Sequence, residues 1–348
     1  MSETEYFNFI NSLNAEPTKK VYAYCLEQFL VYQNLDLHKF LKLRQEQQTN
    51  LIIKYLVQKK VSRQSKNLIV ATIKHACDMN DVLLNWKKIK KFVKPTKTGN
   101  EISGRDRGYT TQEIQKILSF SDQRIKTAFL ILCSTGIRYG ALPSLKVGDL
   151  ERVQDLYKVT VYSGEKEQYL TWTTPETAKE IDVYLEYRKR KGEHITSDSY
   201  LIVKRSGFST IQGEPFKGYS LRSVLQDTIE KTGIKQIGSK WKRKETPLLH
   251  AFRKFFTKQL MDSKVDKAIV ELLLGHDIGL TGRYYKPTEQ DMLNEYMKAV
   301  PLLTISNEER LKFKLEERVQ IEKTKIESLQ QQFDKFKQEV KLMKKRKK

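Results

Sequence analysis

The apolar periodicity that runs through the first part of this chain stops at Lys94. The next stretch, KPTKTGNEISGRDRGYT, carries Pro95, Gly99, Gly104 and Gly108 and contains no apolar run. Turn-forming residues at this density continue neither a helix nor a strand, so residues 98–108 read as a linker. A chain of 348 residues broken here is expected to fold as two bodies, one on each side of the break.

Residues 1–97 read as helical. Val21, Tyr24, Cys25, Phe29 and Val31 form one stripe, and Leu51, Ile52, Tyr55 and Leu56 a second. Leu68, Ile69, Thr72, Ile73 and Ala76 form a third, and Leu83, Trp86 and Ile89 a short fourth. Four short helices of this kind can close one core. Their charge is lopsided: from Lys54 to Lys97 there are twelve Lys and Arg residues against two acids. Lys59, Lys60, Arg63, Lys66, Lys87, Lys88, Lys90 and Lys91 are therefore candidates for contact with a phosphate backbone, a solvated lysine face being the plainer alternative. Residues 62–66, SRQSK, precede an apolar run and would set hydroxyls, amides and cations at a helix start against phosphates. The whole chain carries a net charge of +22, which calls for a polyanionic partner. No run of 18 apolar residues is present, so no membrane span is expected. The acidic opening MSETEYFNF lacks an apolar secretion segment, and the expectation is a location inside the cell.

Past the linker, Thr110 and Glu113 stand three apart before an apolar run, a capping-box pattern that predicts a helix start. A second helix runs from Ile125 to Ser134 and ends at Gly136. Residues 157–162 and 169–173 alternate as strands, with SGEKEQ between them as a hairpin turn and Lys166 at its tip. An amphipathic helix is predicted over 175–192 and a short strand over 200–204. The loop over 233–245 is strongly basic, with Trp241, Lys242, Arg243 and Lys244 placed to lie along a nucleic acid. The expected fold is mainly α with a small β-sheet in the second domain. Cys25, Cys77 and Cys133 are far apart and read as buried apolar residues rather than metal ligands or disulfide partners.

Six residues of the second body carry chemistry. Arg138 lies in TGIRYGAL, Lys166 on the hairpin, His250 and Arg253 in HAFR, His276 in LLLGH, and Tyr285 nine positions after His276. His250 and Arg253, three apart on a helix, share one face. Two guanidinium groups match the non-bridging oxygens of a phosphate with paired donors and never lose their charge. A phenol among such cations is a nucleophile for a phosphodiester, because they lower the cost of the phenolate and of the charge built up on phosphorus. No carboxylate cluster offers a metal site, and no cofactor or metal is expected.

These motifs, in this order, resemble the tyrosine recombinase (phage integrase) family over roughly Tyr109–Leu303. YYKPT followed by a segment ending in AVPLLTI is similar to the integrase-like recombinases of archaeal mobile elements. The resemblance implies a helical core-binding domain over 1–97 and a catalytic domain over 109–305, clamped around double-stranded DNA, with Arg105 and Arg107 of the linker against the backbone. It assigns Arg138 and Arg253 to the phosphate, and gives His250 a phosphate hydrogen bond and the proton transfers. His276 becomes the second phosphate-contacting histidine. Lys166 becomes the general acid toward the leaving 5′ oxygen, with Lys158 as its substitute. Tyr285 becomes the nucleophile in preference to the adjacent Tyr284, which is expected in packing. One position departs from the family pattern. The acid that usually stands three residues after the first arginine is Ala141 here, with Asp149 as the candidate replacement. The helix over 289–300 would pack into a neighbouring protomer through Met292, Leu293, Tyr296 and Val300, packing within its own chain being the alternative that explains the same pattern.

The tail over 306–348 lies outside that resemblance. Val319, Ile326, Phe333 and Val340 fall at one heptad position and Leu315, Leu329, Phe336 and Met343 at the other, with Glu322 as the polar exception. This predicts a long helix able to enter a coiled coil with a second copy or a partner. The expected activity is site-specific DNA recombination through a 3′-phosphotyrosyl intermediate, serving integration or excision of a mobile element. The expected state is a homo-tetramer on paired sites, monomeric or dimeric off DNA, associated with the nucleoid. Resolution of replicon dimers and type IB-like relaxation of supercoils are the alternatives.

Overall fold

The computed structural model describes residues 3–94, 106–204, 214–216, 218–234, 246–279 and 281–346. The chain divides into two compact units, Met1–Gly104 and Arg105–Lys348, each built around its own apolar core. No described helix is long and apolar enough to cross a membrane.

The first unit is helical throughout its described residues. Its elements are Glu3–Asn11 (α1), Glu16–Gln33 (α2), Leu37–Lys42 (α3), Gln45–Gln58 (α4), Arg63–Asp78 (α5) and Trp86–Lys90 (α6). Each junction has a local cause. Asn34 adopts a left-handed conformation and ends α2, Asp36 caps α3, Ser62 caps α5 and Asn85 caps α6. Phe29 meets Phe40 at 5.1 Å and Tyr55 at 5.3 Å, edge to face in both cases, which joins α2, α3 and α4. The phase of α2 differs from the sequence expectation. Leu26, Phe29 and Leu30 are buried, whereas Val21, Tyr24 and Val31 face solvent.

The second unit begins with Thr111–Ser119 (α7), whose N-terminus carries the expected box. Thr110 Oγ1 accepts from the Glu113 amide, and Glu113 accepts from the Thr110 amide. Gln123–Thr135 (α8) follows and is buried almost throughout. Leu150–Val153 (β1), Leu156–Val161 (β2) and Tyr169–Trp172 (β3) make one antiparallel sheet in sequential order, with Val159 facing Thr171 and Leu150 facing Val159. Beside the expected hairpin, β1 completes the sheet. The strand expected over 200–204 is reduced to two isolated bridges, Lys146 with Tyr200 and Val203 with Pro215.

Six helices complete the unit: Pro175–Arg190 (α9), Gly218–Thr232 (α10), His250–Asp262 (α11), Lys267–Leu273 (α12), Thr281–Tyr284 (α13) and Glu289–Leu303 (α14). The core centres on α8 and α11, where the Phe129 and Phe252 rings stack at 5.1 Å. Asn307–Arg346 (α15) then extends as one helix of 40 residues. This mainly helical architecture with a small sheet is the fold class expected from the sequence. The helix α14 packs on its own unit, against α11 and α12, burying Leu293, Tyr296 and Val300. The face expected to enter a neighbouring protomer is thus occupied within the chain.

Candidate active site

The C-terminal end of α8 positions the first arginine. Gly136 sits at φ +63°, and a Cβ there would stand 2.2 Å from the Phe256 ring. Only glycine permits both the left-handed turn and the close approach. Three successive carbonyls at this end are held by donors from three different elements. Tyr296 of α14 donates its hydroxyl to Ser134 O at 2.8 Å. Thr171 of β3 donates to Thr135 O at 3.0 Å. Arg253 of α11 donates Nη1–H to Gly136 O at 2.7 Å. A helix end would otherwise leave these acceptors unpaired. Arg138 follows two residues later, exposed, and its guanidinium has no hydrogen bond or ion pair with a described residue.

Arg253 is the opposite case. Its residue is only 7% exposed. Besides Gly136 O, its Nη2 donates to Leu274 O at 2.6 Å and to His276 Nε2 at 2.8 Å. The guanidinium therefore joins the ends of α8 and α12 to the histidine. Burial draws its pKa below the ordinary value, and the like charge of Arg138 adds to that shift. Because arginine only donates, His276 Nε2 is the acceptor, and the ring proton lies on Nδ1, facing the Glu271 carboxylate. Gly275, at φ +64°, brings the chain flat against the Tyr169 ring, where a Cβ would stand 2.4 Å from Cδ1. His276 is thus fixed by its neighbours on both sides. Glu271 was invisible to the sequence reading. Its only signal is a place one turn before the end of the helix that precedes the histidine.

His250 is the first residue of α11 and is exposed, one turn before Arg253. The α11 helix is held from behind by the chain entering the unit. Lys254 Nζ pairs with Asp106 at 2.7 Å, and Gly108 lies so close that a Cβ would stand 2.5 Å from the Phe255 amide. Lys166 is exposed at the hairpin tip, in a turn closed by Gly164 N–H donating to Gln168 at 2.8 Å. Lys158 is not available in the same way. Its ammonium bridges Glu151 at 2.5 Å and Glu289 at 3.0 Å, pinning the start of α14 to the sheet.

The structure gathers Arg138, Arg253 and His276 at one place, while Tyr285 makes no hydrogen bond to any of them. Its pKa is raised, by partial burial first and then by the carboxylates of Asp266, Glu295 and Asp291. Neither arginine is among the charges acting on it. Tyr284, expected in packing, is instead 92% exposed, against 39% for Tyr285.

Asp149 does not replace the missing acid near Arg138. Its carboxylate accepts from the Lys146 amide in a local cap at 2.8 Å. Ala141 itself is buried, and its amide donates to Arg138 O at 2.8 Å. Two expected phosphate contacts are also corrected. Lys66 is buried at 3% exposure, because α5 turns it toward the core side of the stripe that contains Ile69 and Ile73. Arg107 is engaged by both oxygens of Glu113 at 2.7 and 2.8 Å. Lys60, Arg63, Lys87, Lys88, Lys90 and Lys91 face solvent, and Lys59 lies over the Tyr55 ring at 5.1 Å. Arg105, Trp241, Lys242, Arg243 and Lys244 lie outside the described residues.

Residues 108–291 match the profile of the phage integrase family. A tyrosine recombinase XerC-like protein of Caldanaerobacter subterraneus is 26% identical over 243 residues, covering 63% of this chain and 60% of the relative. The tyrosine recombinase XerA of Pyrococcus horikoshii is 27% identical, covering 56% of this chain and 62% of the relative. The chain thus spans about three-fifths of the length of these curated relatives. Among solved structures, the Tn1549 transposon integrase in complex with transposon right end DNA shares the fold with a TM-score of 0.56 at 16% identity. That match covers 85% of this chain and 98% of the other. A lambda integrase tetramer bound to a Holliday junction aligns with a TM-score of 0.54 at 15% identity, covering 82% of this chain and 77% of the other.

Proposed function

This chain belongs to the phage integrase family, and from that membership we propose that it is a site-specific tyrosine recombinase acting on double-stranded DNA. The observation that carries the reading is the hydrogen-bonded unit of Arg253, His276 and the Gly136 turn, with the unpaired guanidinium of Arg138 two residues beyond. It is a preorganised cationic site of the kind that stabilises a phosphate. The solved integrase folds bound to DNA, and the basic exposed residues of the first unit, support DNA as the partner.

In this reading Tyr285 attacks the scissile phosphorus, and its phenolic proton passes to His250. The bond from phosphorus to the 5′ oxygen breaks, and Lys166 gives that oxygen its proton. The product is a 3′-phosphotyrosine and a free 5′ hydroxyl. Attack by a 5′ hydroxyl from a partner strand reverses these steps and rejoins the DNA. Arg138 and Arg253 stabilise the charge that grows on the non-bridging oxygens. The carboxylates of Asp266, Glu295 and Asp291 oppose ionisation of Tyr285, so the cations at the phosphate must offset them as it attacks. Exchange between paired sites then uses four copies. The reaction serves integration or excision of a mobile element.

The α15 helix presents Leu315, Val319, Ile326, Leu329, Phe333 and Phe336 to solvent along one heptad pattern. We assign it to assembly, as a coiled-coil strand outside the chemistry.

The test starts from a pool of nicked suicide duplexes of randomised sequence, from which covalent protein–DNA adducts are recovered and sequenced. The wild type is expected to retain DNA through a 3′ phosphate and to leave a 5′ hydroxyl, while Tyr285→Phe retains none. An adduct that survives Tyr285→Phe and is lost in Tyr284→Phe would move the nucleophile. Plasmids with one or two recovered sites then separate strand exchange from simple relaxation, since only exchange needs the pair.

A further inference from the structure

Among the described residues, Tyr169 is a side chain beside Arg253 that the steps above leave unused. Its ring is the floor on which Gly275 rests, next to Leu274, whose carbonyl Arg253 holds. Its hydroxyl is buried and falls short of hydrogen-bond geometry with any described residue, although the Arg253 guanidinium lies within reach, acting on it both as a charge and as a donor, and it feels the charge of Arg138 as well. A buried hydroxyl without a partner costs stability, so such groups are rarely retained without use. Three of the five N–H donors of Arg253 are already committed, two of them on Nη2. To turn a paired edge toward a phosphate, the guanidinium must rotate and release a protein acceptor. A spare oxygen beside it supplies the replacement. Tyr169 also lies three residues after Lys166, on the strand that leaves the hairpin.

Building on the recombinase reading above, we propose that Tyr169 is a positioning residue. Its hydroxyl oxygen accepts a hydrogen bond from Arg253 when the guanidinium engages a bound phosphate, and this ties the strand bearing the Lys166 hairpin to the phosphate-holding arginine. The alternative is that Tyr169 only fills space under Gly275. The two differ in sign for Tyr169→Phe, which keeps the ring and deletes the hydroxyl. A space-filling ring predicts a variant at least as stable as the wild type and equally fast. A positioning hydroxyl predicts a variant at least as stable but slower in the cleavage step.

The experiment uses the full-length protein and a suicide duplex recovered as described above. Thermal denaturation without DNA, duplex affinity and single-turnover cleavage at saturating protein are measured for the wild type and Tyr169→Phe. The expected result is unchanged or higher stability, unchanged affinity and cleavage slowed about tenfold. The same pair is then compared on a duplex with a methylphosphonate at the scissile position, which removes the negative charge that the arginine clamps. There the two rates should converge. Equal rates on the ordinary duplex overturn the assignment, as does a slow Tyr169→Phe whose defect is undiminished on the methylphosphonate. A wild type that forms no tyrosyl adduct overturns the recombinase reading itself, and the Tyr169 assignment with it.

Discussion

Arg253 donates to His276 Nε2 at 2.8 Å, so in this structure the histidine is an acceptor and serves the arginine rather than a phosphate. The proton on Nδ1 faces Glu271, which makes Glu271, His276 and Arg253 one chain of hydrogen bonds. Such a chain fixes both the tautomer and the ring plane.

Glu271→Ala should therefore slow single-turnover cleavage about tenfold through His276, at unchanged duplex affinity. Glu271→Gln keeps an oxygen acceptor for Nδ1–H and should retain most of the rate. An alanine variant as fast as the wild type would remove Glu271 from the site.

The two arginines should separate in a stability measurement. Arg138 is exposed and unpaired among the described residues, so Arg138→Ala should leave the unfolding temperature unchanged while costing roughly 3 kcal/mol in the cleavage step. Arg253→Ala strips the partner from two buried carbonyls, Gly136 O and Leu274 O. It should cost about 2 kcal/mol or more of folding stability in addition to the rate. Denaturant melts beside single-turnover kinetics read both effects.

Gly136→Ala meets the Phe256 ring and a left-handed backbone together. The expected loss is about 3 kcal/mol, from strain and overpacking in comparable parts. The displaced turn carries Arg138, so cleavage should fall further than stability explains. Phe256→Leu in the same background should return part of the stability by opening space.

Glu176 gives a pH signature. Its carboxylate accepts from the Ile305 and Ser306 amides, and burial raises its pKa above the ordinary carboxylate range. A carboxyl with a raised folded pKa binds its proton more tightly in the native state. Its contribution is therefore fully present at low pH and is lost as pH rises from the ordinary range through the raised value. The stability of the wild type relative to Glu176→Gln should fall across that window and level off above it. Chemical denaturation of both proteins at a series of pH values measures the difference.

Much of this was legible before any coordinates. The Thr110–Glu113 box, the hairpin that holds Lys166 and the shared face of His250 and Arg253 all follow from spacings of three or two, which local geometry enforces. Where the reading failed, the cause lay at longer range. Lys66 and Arg107 looked like free cations because neither burial nor the carboxylate of Glu113 is written in a charge count. Val21 and Val31 looked like core because a stripe on α2 fits two phases, and only the rings of Phe40 and Tyr55 choose between them. Glu271 and Tyr169 were missed for a related reason. One acts through another side chain, and the other holds an unmade bond.

The end of α8 sets which positions can drift. Its three carbonyls belong to the main chain, so these bonds do not read the side chains of residues 134 and 135, and a change there that keeps the volume of the buried Ser134 and Thr135 leaves the acceptors in place. The donors have no such freedom. Tyr296, Thr171 and Arg253 each reach a fixed oxygen from a different part of the sequence, and at 171 only serine keeps the donor in the same place. Substitutions of like size should accordingly be tolerated at residues 134 and 135 and purged at the donors, the reverse of what proximity to Arg138 alone would suggest. A saturation library scored for recombination would show this asymmetry as two positions open to small residues beside an invariant glycine, with three distant residues as intolerant as the arginine they hold in place.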